Sequence, residues 1–462
     1  MSAMILSHLF ERFAAKTPFA VMARSLLERI LTPEALDALF DLKSESQYTR
    51  ELTFSSVVDL MGQVVTSAFP SVRAAFLDQS FDIPVSLTSL YNKLQGVEPA
   101  VSAGLVDHTA GQLRSLIDEV GGTLPEPVAG YRMFVLDGNN IAATEHRLAE
   151  TRDDSAAPLP GKSLCIFQPS YQLITHVVPC EDGHTQERAL VGPVLELVKG
   201  DTLWVADRNF CFQSFLMGIA KKLGYFVIRE HAGLNYKVAS ELREVGRSET
   251  GMVFEQEIVI GDGADGFVLR ARRVVVKLDE PTEDGDRELA IVTNLPASVS
   301  AVVVAEVYRK RWTIEGGFLD LTTTLNCEID TLCYPRAALL VFCVAVVAYN
   351  MQSAIKGVMR SEYGEAKVEA DLSRYFVSSE IGQVYRGMMV ALPPEEWAVF
   401  RDTSMGEYVA FLKRLARAVD FRRYPKTRRG PKKERPKRKY DPKHTHVSAA
   451  KILLARNPKA TG

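Results

Sequence analysis

Apolar residues in the first quarter of the chain recur at helical spacing, through residues 19–31, 57–68 and 111–120, and no alternating pattern competes there. The texture changes at Tyr131. Residues 132–136 (RMFVL), 163–167 (SLCIF) and 173–178 (LITHVV) are short apolar runs between turn residues, which predicts strands. Residues 185–198 then read as a helix, 202–206 (TLWVA) as a strand, 212–223 as a helix and 225–229 (YFVIR) as a strand. The order β-β-β-α-β-α-β predicts an α/β core built on a mixed sheet with covering helices. Residues 253–260, 266–278 and 287–292 alternate around Gly261, Gly263, Gly266 and Gly285, so an antiparallel β-rich insertion is expected at about 233–294. A long helix follows, capped by Ser298 or Ser300, and runs through residues 308–315 (YRKRWTIE). The apolar run 337–349 is thirteen residues long. A membrane span needs roughly 20, so this run predicts a buried core helix. The remainder to 418 is helical, with breaks at Pro393 and Pro394.

The chain thus divides into a helical N-terminal region (1–125), an α/β core (126–350), a helical C-terminal region (351–420) and a basic tail (421–462). With 462 residues it can bury a large core. The net charge of −2 conceals an asymmetry, because residues 421–443 carry twelve Lys or Arg against Glu434 and Asp441, leaving −12 elsewhere. That segment, punctuated by Pro425, Pro431, Pro436 and Pro442, is expected to be extended and to bind a phosphate backbone in a salt-dependent way. Its RRGPKK stretch, with Arg428, Arg429, Lys432 and Lys433, resembles a minor-groove arm; a solubilising tail or sorting signal is the plainer alternative.

Residues 85–94 resemble the second helix of a helix-turn-helix, with Thr88, Ser89, Asn92 and Lys93 facing outward, although an ordinary surface helix has the same composition. The six cysteines show no zinc spacing and read as reduced, buried thiols. His146, His176 and His184 do not assemble a zinc site by spacing either. The N-terminus lacks the order of a signal peptide, since Glu11, Arg12 and Lys16 interrupt it, so a cytoplasmic protein is expected.

Candidate chemistry rests on three carboxylates. Asp137 ends the strand RMFVL beside a Gly138-Asn139-Asn140 turn, and Asp207 ends TLWVA in the same way. Strand ends of an open α/β sheet are where ligands bind. On a continuous helix, at about 100° per residue, Tyr308, Arg311 and Glu315 fall within roughly 60° of each other, with Trp312 and Leu319 on the same side. Three converging acids repel unless cations fill the space between them. Two magnesium ions about 4 Å apart would activate a water or 3′ hydroxyl and stabilise the leaving oxygen in displacement at phosphorus, and manganese is expected to substitute. Arg311, by its two-pronged guanidinium, and Tyr308, by its hydroxyl, would then bind backbone phosphate.

LDGNN around Asp137, WVADRNF around Asp207, and Tyr308, Arg311 and Glu315 closely resemble the DDE transposases of the bacterial insertion-sequence family four. The resemblance covers roughly residues 130–350. It implies a ribonuclease H-like core, Asp137, Asp207 and Glu315 as the metal-binding catalytic triad, and Tyr308 and Arg311 as phosphate contacts. Lys310, Arg208 and Thr322 are further DNA-contact candidates. The implied function is DNA cleavage at element ends and strand transfer of the 3′ hydroxyl into target DNA, by a homodimer on DNA at the nucleoid, with no membrane partner. Thr322 departs from the pattern, because relatives carry Lys seven residues after the Glu. Gly316 and Gly317 are unusual inside a helix, where each costs about 1 kcal/mol relative to Ala. Some relatives also use a Trp of the insertion to stack on a flipped base; the insertion here has none, and Phe254 or Phe267 would substitute, or simply belong to the core. A decayed or repurposed DNA-binding protein of the same fold, and a stand-alone nuclease, are the alternative functions.

Overall fold

The computed structural model describes residues 6–47, 51–79, 83–142, 148–152, 158–263, 267–282, 285–329, 331–426 and 447–456, with Trp312 by its backbone only. Among the described residues seven helices come first: α1 (His8–Lys16), α2 (Pro18–Ile30), α3 (Pro33–Lys43), α4 (Phe54–Val65), α5 (Val72–Asp78), α6 (Leu87–Gly96) and α7 (Pro99–Val120). Their starts follow local chemistry: Ser7, Thr32, Thr53, Ser71 and Ser86 each accept a backbone N–H from the first turn of the helix that follows. In α6, the segment resembling a recognition helix, Thr88, Ser89 and Asn92 are exposed. Lys93 does not face outward as expected: its Nζ lies 3.9 Å from the centroid of the Phe40 ring, and burial lowers its pKa.

The core begins with β1 (Arg132–Asn140), β2 (Pro158–Leu159), β3 (Lys162–Gln168) and β4 (Leu173–Cys180). The helix expected at 185–198 is replaced by a 3-10 turn at Glu187–Leu190 and a short α8 (Gly192–Leu197), because Gly192 and Pro193 interrupt the run. Then follow β5 (Thr202–Ala206), α9 (Gln213–Lys221) and β6 (Tyr225–Arg229), at or close to the expected positions. The insertion contributes β7 (Tyr236–Val238), β8 (Arg243–Ser248), β9 (Gly251–Ile260), β10 (Leu269–Leu278) and β11 (Glu288–Thr293).

Among the described residues ten strands form one sheet in the order β4-β3-β1-β5-β6-β11-β10-β9-β7, with β8 also paired to β9. The insertion is therefore a continuation of the core sheet: β11 pairs antiparallel with β6 through Ile291↔Arg229 and Thr293↔Val227. At the centre, β1, β5 and β6 run parallel, and their register places Leu136 opposite Ala206. Side chains alternate between two cores. Met133, Val135, Leu203, Val205 and Val227 face one, with α7 and the later helices; Phe134, Leu136, Trp204, Ala206, Phe226 and Ile228 face the other, with α9.

Beyond the sheet come α10 (Ala301–Arg309), α11 (Trp312–Thr324), α12 (Pro335–Tyr363), α13 (Glu365–Asp371), α14 (Arg374–Ala391), α15 (Pro394–Asp402) and α16 (Met405–Arg417). The run 337–349 lies in α12, which is long and apolar enough to cross a membrane but is packed inside the protein over almost all of its apolar length. The chain then meets the core again: β12 (Val447–Ser448) pairs in parallel with β2, and α17 (Ala449–Arg456) places Lys451 Nζ 3.0 Å from the Asp182 carboxylate. The basic residues Arg428, Arg429, Lys432 and Lys433 lie outside the described residues.

Candidate active site

Asp137 does not open a turn. β1 continues through it to Asn140, paired with β3 from Val135↔Phe167 to Asn140↔Lys162, so the acid sits inside a strand on that side. On the other side, parallel pairing with β5 stops at Leu136↔Ala206, and one residue further Asp137 and Asp207 leave the ladder together. Strand alternation turns both towards the core that contains α12. Asp207 caps the 3-10 turn Arg208–Phe210, accepting the Asn209 N–H at 2.8 Å.

Glu315 reaches this edge from a separate helix. The expected continuous helix is broken between α10 and α11, and Ser300 is its N-cap. At the break the bonds tighten to the three-residue pattern, Arg311 N–H to Tyr308 O at 3.0 Å and Thr313 N–H to Lys310 O at 3.0 Å. A projection at a constant 100° per residue does not carry across such a break. Tyr308, at the end of α10, is 4% exposed and packs in the core, where burial pushes its hydroxyl pKa up. Glu315, in the first turn of α11, has a side chain 51% exposed.

Arg311 joins the acids. One guanidinium nitrogen lies 3.1 Å from Asp137 Oδ2 and another 2.8 Å from Glu315 Oε1, while the group itself is only 11% exposed. Its Nε is buried and has no hydrogen-bond partner. Asp137 is pushed from its ordinary 3.8 up to about 7, first by burial; Arg311 and the Gly138 N–H pull it down, whereas the charges of Asp207 and Glu315 push it up. Asp137 therefore feels the charges of the other two acids. Three carboxylates are hard oxygen donors of the kind magnesium prefers. Yet among the described residues no three His, Cys, Asp or Glu side chains stand close enough to hold a metal ion.

The raised value has a testable sign. A carboxyl that binds its proton more tightly when folded contributes stability that is complete below the unfolded value of 3.8 and is lost as pH rises through about 7. The melting temperature of the metal-free protein should fall from about pH 5 to about pH 8, by more than in Asp137→Asn. Equal slopes in the two proteins would remove this account of Asp137.

α11 is held in place from behind. Arg374 Nε lies 3.2 Å from Asp320 Oδ2, and the guanidinium lies 4.5 Å from the Tyr349 ring centroid. Gly317 permits the close approach, since a Cβ there would stand 3.2 Å from the Tyr349 hydroxyl. Gly316 meets nothing within 4 Å and has no evident packing role. Thr322 is exposed, its hydroxyl donating back to the Phe318 and Leu319 carbonyls at 3.2 and 3.1 Å. Lys310 and Arg208 are exposed near the acids in sequence. Phe254 and Phe267 are half-buried, with Lys277 and Lys221 over their rings.

Glu187 is a rim residue whose position sequence reading missed. Its carboxylate lies against Gly138, where any Cβ would collide with it, and accepts from Asn209 Nδ2 at 3.3 Å. Fifty residues of chain separate it from Asp137, and no local pattern signals that meeting. A ligand-sized cavity of about 410 Å³ lies elsewhere, lined by Arg24, Asp59, Gln63 and Gln352 among others, in the helical region rather than at the acids.

Two acids leave adjacent parallel strands, and a third on the first turn of α11 is tied to the first through Arg311, at one edge of a mixed α/β sheet. Residues 129–351, which contain all three, match the family model described as Transposase DDE domain. This match supports a DDE transposase and implies a ribonuclease H-like fold for the sheet. No curated protein matches the chain.

Proposed function

We propose that the protein is a transposase of the insertion-sequence family-four type, cutting DNA at element ends and joining the freed 3′ hydroxyls to target DNA. What supports the reading is that Asp137 and Asp207 leave adjacent parallel strands at one sheet edge, and that Arg311 links Asp137 to Glu315, all inside the matched segment. Divalent cations at that edge would supply activation of the attacking oxygen and charge stabilisation of the leaving oxygen. Asp137, Asp207 and Glu315 are the residues that would hold them.

Arg311 would take a phosphate by its two-pronged guanidinium, which in the DNA-free protein is engaged by Asp137 and Glu315. Tyr308 supports Arg311 from the core, with the guanidinium 6.0 Å from its ring centroid, and its burial favours this supporting role over a direct phosphate contact. Lys310 and Arg208, exposed beside the acids in sequence, are the outer phosphate contacts; Thr322 brings only a hydroxyl, already engaged with its own helix. The basic segment, with Arg428, Arg429, Lys432 and Lys433, adds sequence-independent affinity. Two element ends must be paired, so the working form is a homodimer on DNA, acting in the cytoplasm at the nucleoid.

Purified protein incubated with magnesium or manganese and DNA carrying the inverted repeats that flank its gene should yield joined products. Hydrolysis without joining would favour a nuclease, and binding without either a repurposed DNA-binding protein.

A further inference from the structure

The cavity among the helices has one apolar wall, where Val344, Val347, Met351 and Ile355 of α12 recur on a single helix face. A second wall is polar. Asp59, Gly62, Gln63 and Thr66 form a stripe along α4 that lines this space, while Val57, Leu60, Met61 and Val64 of the same helix are buried in the core. Asp59 keeps accessible surface because that surface faces the cavity; the protein packed around it desolvates the carboxyl and raises its pKa.

The polar groups lining the cavity are unequally partnered. Arg24 and Arg401 are both committed to Glu28, at 2.6 and 2.5 Å. Asp59 has no ion-pair partner among the described residues, and its hydrogen bonds, from Gln63 Nε2 at 2.7 Å and Gln79 Nε2 at 3.4 Å, both go to Oδ2. Its Oδ1 is left open. Gln352, on the α12 side, is 4% exposed, and its buried Oε1 has no hydrogen-bond partner. A buried acceptor without a donor is costly, so a state that supplies the donor is favoured.

We propose that this cavity is a binding site for a small amine with an apolar body. The body would lie on the α12 face, where removal of apolar surface from water drives binding. The amine would donate to Asp59 and Gln352, and its positive charge would give Asp59 the counter-ion that the protein does not provide. An anion is disfavoured, because both nearby guanidinium groups already serve Glu28. The space of about 410 Å³ suits a small-molecule ligand, and Gly62 helps to keep it open, since a Cβ there would meet nothing within 4 Å. Helices α2, α4, α12 and α14 all line the cavity, so an occupant ties them together and stabilises the fold. The site lies away from Asp137, Asp207 and Glu315 and does not depend on the transposase reading.

The test is calorimetric titration of the full chain with 2-phenylethylamine, tryptamine and cyclohexylmethylamine at millimolar concentration, each compared with the alcohol of the same shape. At least one amine should bind about tenfold or more tightly than its alcohol and raise the melting temperature of the wild type. Asp59→Asn, which keeps the shape and removes the charge, should lower the affinity for that amine about tenfold while leaving the alcohol unchanged. Gly62→Leu places its side chain in open space on a helix that favours Leu over Gly, and should abolish binding of both. No saturable binding by any of the amines would overturn the proposal, as would equal binding of amine and alcohol. Undiminished amine binding by Asp59→Asn and Gly62→Leu, both folded by circular dichroism, would place the amine elsewhere and overturn it too.

Discussion

Asp207→Asn should reduce magnesium-dependent nicking of DNA that carries the element ends by about 10³-fold or more, equivalent to about 4 kcal/mol of barrier. The substitution isolates charge from shape. Asn keeps a side-chain oxygen able to accept the Asn209 N–H, so the 3-10 turn at Arg208–Phe210 should persist. What disappears is the negative charge that a cation at the proposed site would need, together with one of the two neighbouring charges that push up the Asp137 pKa. Binding of element ends should survive, because the proposed phosphate contacts are Arg311, Lys310, Arg208 and the basic segment. Cleavage at the wild-type rate would dismiss Asp207 from the triad.

Trp204→Ala should be the most destabilising of the substitutions considered, by about 3–5 kcal/mol. The indole is 1% exposed at the centre of β5, stacked on Phe134 with ring centroids 5.2 Å apart, and its Nε1–H donates to Thr202 Oγ1 at 3.0 Å. Removing it opens a void between the central strands and α9. The loss would also reach the proposed site, since Asp207 leaves β5 three residues later and depends on that strand for its place. Chemical denaturation should show the drop directly. Val390→Ala, at a side chain 90% exposed, serves as the control and should stay within about 0.5 kcal/mol of wild type. Similar midpoints for the two variants would mean that β5 is not the sheet's structural centre.

Much of this architecture is legible in the sequence. The strands at 202–206 and 225–229 coincide with β5 and β6 because short apolar runs between turn residues have few other outcomes. Other elements were misread where a local rule met a competing one. Apolar content suggested a helix over 185–198, but Gly192-Pro193 divides it. Ser300 was correctly among the expected caps of the next helix, yet nothing local marked its break at Lys310 and Arg311.

The sequence by itself determined the periodicities, the Ser300 cap, the placing of Asp137 and Asp207 just after apolar strand runs, and the basic character of the tail. Each depends on residues within a few positions of one another, where backbone sterics and side-chain spacing decide the outcome. Only the tertiary structure decided that the insertion continues the core sheet through β11 and β6, that Tyr308 is buried, and that Glu187 lies on the rim. It alone joined Arg311 to Asp137, 174 residues apart. Contacts of that range are chosen by strand pairing, burial and charge balance across the whole fold, and a local pattern carries no record of which partner prevails.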